Sequence, residues 1–315
     1  MKVVLFSALL FLALSPIEAK EINELINIYG SLSPEVVFRT PEAKETIRVM
    51  DDGDSRVGLK GKAKISDTLS GFYKYERQVS GNDGEDDGAV RGDNNELHEV
   101  HVGLTGNFGS ISIGRHCGVY YDYIDDEIDR HHSHYSDAIV FSSLFVSNSI
   151  RYDSPNIGAF SFGALAELNG SDPLGRAVDE RFEIAGTISD KGLAIHAGYV
   201  HSPNHEGLFG ISPTISHGAV TISGVYQKLK KAGDDDKLVS IAADIGISPK
   251  NRIRVATTVK RTDNTPDLDE VYLILGGDHK FSDHVLFYIE TFRKTTDVPQ
   301  LSDESAVVTG LRFDF

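Results

Sequence analysis

From residue 55 onward the chain alternates between apolar and polar positions. In SRVGLKGKAKI, Val57, Leu59, Gly61, Ala63 and Ile65 fall on one side, and Arg56, Gly58, Lys60, Lys62 and Lys64 on the other. KLVSIAADIGI sets Val239, Ile241, Ala243, Ile245 and Ile247 against Ser240, Ala242, Asp244 and Gly246. NRIRVATTVKR sets Ile253, Val255, Thr257 and Val259 against Arg252, Arg254, Ala256, Thr258 and Lys260. The closing AVVTGLRFDF does the same and stops on an aromatic, Phe315. A sustained period of two predicts strands, whereas an amphipathic helix repeats at three and four.

The breaks between these segments are ordered. Tight ones fall at 66–69, 107–110, 154–159, 189–192, 216–218, 248–251 and 281–283. Longer polar connections fall between them, at 40–53, 80–95, 116–145, 169–177, 202–206, 229–236, 262–268 and 295–303. Short and long alternate, as in a barrel with brief turns on one rim and longer loops on the other. The segments number about sixteen, and an even number brings the last strand beside the first. The predicted fold class is therefore all-β, a transmembrane antiparallel β-barrel of about 16 strands. It forms one domain over 20–315, with Phe315 in an aromatic girdle. The stretch 207–215 fits this pattern least well. A secreted soluble β-sandwich that binds glycans or host surfaces would alternate too. It leaves the turn lengths and the terminal aromatic unexplained.

The first residues add the compartment. Lys2, an apolar run from Val3 to Leu14, Pro16 and a small residue at Ala19 make a secretory signal over 1–19. The run is too short for a membrane-spanning helix, which needs about 20 residues. The formal charge of −16 argues against nucleic acid as a partner. A single cysteine, Cys117, cannot form an internal disulfide and reads as a small buried residue. No serine lies in a nucleophile-elbow setting, so no enzyme is expected.

At this point the residues resemble a family, the general trimeric porins of Gram-negative bacteria. The matching stretches are SRVGLKG (55–61), HVGLTGNFGSISIGR (101–115), NSIRYDSPNIGAFSFGA (148–164) and the ending GLRFDF. Gly103, Gly106, Phe108, Gly109, Gly114 and Arg115 fall as the family has them. The resemblance implies an outer-membrane homotrimer for passive diffusion, with its long third loop folded into the lumen. It implies contact with outer-membrane lipid and lipopolysaccharide. It also implies recognition of the strand ending in Phe315 by the barrel assembly machinery. The second loop of the family latches onto a neighbouring subunit, which Glu85 or Asp86 could do here.

The longest interruption agrees with such a loop, since a long structureless segment in a compact protein is usually functional. It carries Asp122, Asp125, Asp126, Glu127, Asp129 and Asp137 against one arginine, Arg130. Tyr120, Tyr121 and Tyr123 are candidates to anchor it. The family sets an acidic third loop against a basic wall, and the matched motifs place Arg56 and Arg115 on that wall. Alternation adds Lys60 beside Arg56 and puts His98 on the outward face. Ser31 occupies a position that is basic in the family, and the loop's Pro-Glu-Phe-Gly motif is absent. The excess of acid predicts a modest cation preference. The lysine row Lys60, Lys62, Lys64 points instead to a substrate-selective, phosphate-binding barrel. Neither RHHSHYSD (130–137) nor NDGEDDG (82–88) makes a metal site. Nothing fixes the directions of His132, His134 and Asp137, and NDGEDDG lacks the glutamate expected at the twelfth position of a calcium loop. No cofactor is expected.

Overall fold

A computed structural model describes residues 24–41, 47–51, 55–79, 97–168, 181–202, 205–231, 234–262, 268–297 and 303–315. The signal over 1–19 and the candidate latch at Glu85 and Asp86 lie outside the described residues.

The strands close into one antiparallel barrel. Strand β1 comprises Asn27–Leu32 and Glu35–Pro41, and β2 comprises Ile47–Asp51 and Arg56–Lys64. Then follow β3 (Leu69–Gln78), β4 (Leu97–Gly106), β5 (Gly109–Cys117), β6 (Phe145–Asp153), β7 (Phe160–Glu167) and β8 (Phe182–Asp190). The second half holds β9 (Leu193–Ser202), β10 (His205–His217), β11 (Val220–Lys231), β12 (Asp234–Ser248), β13 (Asn251–Thr262), β14 (Leu268–Lys280), β15 (Val285–Thr296) and β16 (Glu304–Asp314). Each half of β1 pairs with the matching half of β2, as Tyr29 opposite Gly58 and Val37 opposite Val49. The interruption in β1 falls at Pro34, which has no N–H to give to a ladder. Counted this way the barrel has sixteen strands.

Closure is between β16 and β1, with Ser31 opposite Asp314 and Val37 opposite Val308. At the very end Gly30 and Phe315 exchange two backbone hydrogen bonds, both of 3.0 Å. The least regular stretch of the sequence lies within β10, which is 13 residues long. The connections expected at 202–206 and 229–236 are narrower than their polar composition suggests, because β10, β11 and β12 continue into them.

The two faces of the sheet separate as the alternation predicts. Ile184, Tyr199, Phe209, Ile211, Ile241 and Leu275 are exposed on the outside. Between them Glu183, Ser212, Gln227, Ser240, Thr258 and Glu290 are buried on the enclosed side. A soluble fold would bury the first set; here the polar set is the enclosed one, as in barrels that cross a membrane. Among the described residues no helix is long and apolar enough to cross a membrane.

Candidate functional site

The chain leaves β5 at Cys117 and returns at Phe145. Between them stand a short π-helical turn at Tyr121–Asp125 and a 3-10 turn at His134–Ile139. Val119, Tyr120, Ile124, Ile128 and Ile139 are buried in this segment. Tyr120 sits in a dent made by two glycines on β9 and β10. A Cβ on Gly210 would stand 2.1 Å from the Tyr120 hydroxyl, and one on Gly198 would stand 3.0 Å from its ring. Tyr123 sets its ring edge-on to His196, at 6.5 Å.

The segment is fixed by carboxylates on both sides of the contact. On the wall, Glu183 accepts the Tyr120 amide (2.9 Å), and Glu290 accepts those of His132 (2.8 Å) and Ser133 (3.0 Å). Glu35, fully enclosed, binds the His134 imidazole (2.8 Å) and the Tyr288 hydroxyl (2.7 Å). Tyr135 donates to Glu304 and stacks on Phe292, with ring centres 4.2 Å apart. In the segment itself, Asp125 is completely buried and accepts from Ser142 and Gln227. That burial pushes its carboxyl up to about 6. Burial also works to raise Glu127, but Thr214, Ser223 and Arg130 outweigh it and hold it below the usual carboxylate range. Burial lowers the imidazole of His131.

Asp122 pairs with Arg151 on β6 (2.6 Å), and Asp129 takes the hydroxyl of Tyr121. Asp122 and Asp126 are the exposed members of the group. Desolvation of the Asp126 carboxyl, and then Asp129, Asp122 and Glu127, push it up to about 6. Asp122, Asp125, Asp126, Glu127 and Asp129 therefore lie in one docked segment. Four have the partners named above, and among the described residues the Asp126 carboxylate accepts no side-chain hydrogen bond.

The named cations sit elsewhere. Arg56 approaches Glu76 at 3.9 Å. The Lys60 ammonium stands 4.6 Å above the Tyr29 ring, and the Tyr29 hydroxyl donates to Glu76 (2.8 Å). Lys74 joins the same carboxylate at 3.5 Å. The docked segment contacts β6 to β16 and β1, while Arg56, Lys60 and Lys74 lie on β2 and β3. Arg115 donates to the Leu97 carbonyl (2.7 Å) and the Ser147 hydroxyl (2.6 Å), at the end of its strand.

The expectation for His98 is corrected. It is buried, bonded to Glu76 (3.3 Å) and stacked on Phe145 (4.6 Å). A β-bulge opposite Glu76 and Arg77 adds one residue to β4 and turns His98 inward. Sequence reasoning also missed Arg151 and Arg254. Arg254 bridges Asp278 and Asp244 and donates to His132 (2.7 Å). Both lie on the polar side of an alternating strand, which was the available signal. The histidines of the segment do not converge, since His132 meets Arg254 and Asp278 while His134 meets Glu35. Among the described residues no group of three or more side chains is placed to hold a metal. The Asp137 side chain lies outside the described residues.

A family model described as Gram-negative porin matches residues 7–298. The chain belongs to the Gram-negative porin family. It is 36% identical over 107 residues to the outer membrane porin protein LC of Enterobacteria phage PA-2. That stretch covers 33% of this porin and 26% of the relative, so the chain spans about a quarter of that protein's length in the match. The anion-selective porin from Comamonas acidovorans has the same fold, with a TM-score of 0.73 at 16% identity over 92% of this chain and 99% of that one. The trimer form of OmpT, an outer membrane protein of Vibrio cholerae, superposes with a TM-score of 0.69 at 17% identity, over 92% and 99% of the two chains. Family and fold together place this porin in the Gram-negative outer membrane, which it crosses with strands.

Proposed function

We propose that this porin is a passive channel for ions and small hydrophilic solutes. The reading makes it a homotrimer among outer-membrane lipid and lipopolysaccharide, exported by the signal at 1–19. The barrel assembly machinery recognises its terminal strand. Diffusion of this kind asks for no cofactor and no catalytic group.

The segment 118–144 is the constriction. One observation carries this. Its anchors run along β6 to β16 and β1, and the cations Arg56, Lys60 and Lys74 stand on other strands. Acid and base thus face each other across the remaining opening, with Arg115 at the loop-bearing rim. Such a field orders ions and dipolar solutes in a narrow aqueous neck.

The exposed carboxylate of Asp126 sets the sign, a modest preference for cations. A porin described as anion-selective shares this fold, so sign follows side chains and not architecture. In a salt gradient, Asp126→Asn should move the reversal potential toward anions. The shift should fade at high salt, where the Debye length falls from about 8 Å to about 3 Å. An unmoved potential would place Asp126 outside the neck. The same carboxyl, pushed up to about 6, should be half protonated near that pH. Cation preference should then decline between pH 7 and pH 5, and Asp126→Asn should flatten that decline.

A further inference from the structure

The outward face of β7 to β10 is not smooth. A groove of about 620 Å³ runs along it, floored by Gly186 and Ala197, which stand directly opposite each other on β8 and β9. Phe162 flanks Gly186 from β7, Tyr199 rises above Ala197, and Phe160, Ile188 and Ile195 line the lower end. Gly186 and Ala197 each lie four residues from the Asp190–Leu193 pair that bounds the turn between β8 and β9. At a strand tilt of about 40° that is about 10 Å above the short-turn rim. The apolar band of such a barrel is about 25 Å tall, and its short turns face the periplasm. The groove therefore opens on the inner half of the band, on the side away from the long loops.

The turn at its foot is of uncommon composition. Asp190 pairs with Leu193, which leaves Lys191 and Gly192 as a two-residue loop, with φ of +47° and +86°. A loop of this kind asks for two residues in the left-handed region, and Asn-Gly or Asp-Gly meets that need most readily. Lysine meets it against the crowding of its own Cβ. Among the described residues only Asn148 and Lys191 take a positive φ without being glycine, and a backbone held in that region points to a local function. What the turn gains is charge at the membrane surface. Asp190 takes the outward position next to Ile188, about 7 Å further along the strand, and Lys191 follows it, exposed. Among the described residues neither side chain has an ion-pair partner. A carboxylate and an ammonium side by side, at the foot of an apolar groove, match a headgroup that carries a phosphate and a primary ammonium. The phosphate meets Lys191, the ammonium N–H groups meet Asp190, and an acyl chain lies in the groove.

We propose that groove and turn together bind a phospholipid of the inner leaflet that has a phosphoethanolamine headgroup. A lysine at a membrane surface lays its stem along the apolar rim and lifts its ammonium to the level of the phosphates. Selectivity then comes from Asp190. A choline headgroup has a quaternary nitrogen with no N–H to donate, and a glycerol headgroup has no ammonium at all. The site rests on the outer-membrane location of the barrel and is independent of what the lumen conducts.

The test uses the refolded full-length protein, with its folding checked by mobility before and after boiling. Native mass spectrometry follows titration with phosphatidylethanolamine, phosphatidylcholine or phosphatidylglycerol of identical acyl chains, and with lipid A. Phosphatidylethanolamine should bind about fivefold more tightly than either other phospholipid, at the usual contribution of one charge contact near a membrane surface. Lys191→Asn puts a residue suited to the turn in place of the cation. It should lower the affinity for phosphatidylethanolamine about fivefold, while the fast-migrating form survives heating at least as well as in the wild type. Asp190→Asn should erase the preference for phosphatidylethanolamine over phosphatidylcholine. Ala197→Leu fills the groove floor and should weaken all three phospholipids alike, and Ala197→Val serves if that variant does not fold. Equal affinity for the three phospholipids would overturn the proposal, as would indifference to Lys191→Asn or to the change at Ala197. Tighter binding of lipid A would assign the groove to the other leaflet, and an altered oligomer mobility of Ala197→Leu would make it an interface between copies. Either result overturns the proposal as well. Conductance in planar bilayers should be unchanged in every variant, so the lipid site can fail while the channel reading stands.

Discussion

Deletion of Phe315 should cut the amount of barrel in the outer membrane by about tenfold or more. Its backbone exchanges two hydrogen bonds with Gly30 at the seam, where β16 meets β1. Such bonds contribute about 1 kcal/mol each in water and more where the surroundings are apolar. Its ring covers Gly30 so closely that a Cβ there would lie 2.6 Å from the ring tip. Losing both features removes roughly 2 kcal/mol or more from closure, and about 1.4 kcal/mol is a factor of ten. Phe315→Ala keeps the backbone pair and should fall between wild type and deletion. Gly30→Val, which collides with the ring and with the Arg56 carbonyl, should resemble the deletion. The measure is the heat-labile fast-migrating form in membrane fractions. Normal amounts of it in the truncated protein would refute the closure argument.

Glu290→Ala should loosen the docked segment without unfolding the barrel. Glu290 is 2% exposed and accepts the amides of His132 and Ser133. Without it two buried N–H groups lose their partners, at about 1–3 kcal/mol each. The second half of the segment should then leave its wall part of the time. Open-channel current noise should rise severalfold, and a protease should cut within 131–135 in the folded protein. A quiet, protease-resistant variant would show that the other anchors suffice. Gly210→Leu attacks the first half instead, by pushing out Tyr120.

The strands were legible because a barrel in a membrane must alternate. Lipid selects one face and water the other, so β12 and β13 announce themselves in KLVSIAADIGI and NRIRVATTVKR. What escaped was set by local departures from period two. A single bulged residue turned His98 from the outward set to the inward one. Pro34 split β1 without ending it, so its halves could be joined only through their shared partner. In the site, acidic content was visible but its employment was not. Asp125 and Glu127 read as free charges in the sequence, yet they serve Gln227, Thr214 and Ser223, which lie far along the chain. Composition counts carboxylates, and tertiary contacts decide which of them a passing ion meets. Arg151 stands within NSIRYDSP, but its pairing with Asp122 exists only once the segment has docked.

The anchors of the docked segment join parts of the chain that are remote in sequence. His134 reaches Glu35 across 99 positions, and Ser133 reaches Glu290 across 157. Glu35 lies on β1 and Glu290 on β15, the strands flanking β16 at the seam. These bonds can form together only once both ends of the chain stand side by side. The segment is therefore a strap drawn across the join, fastened after the wall has shut. A barrel sealed one residue out of register would turn Glu35 outward and leave His134 nothing to hold. Strap and seam are thus made in a single act: a chain that has not closed correctly cannot hold this segment against its wall.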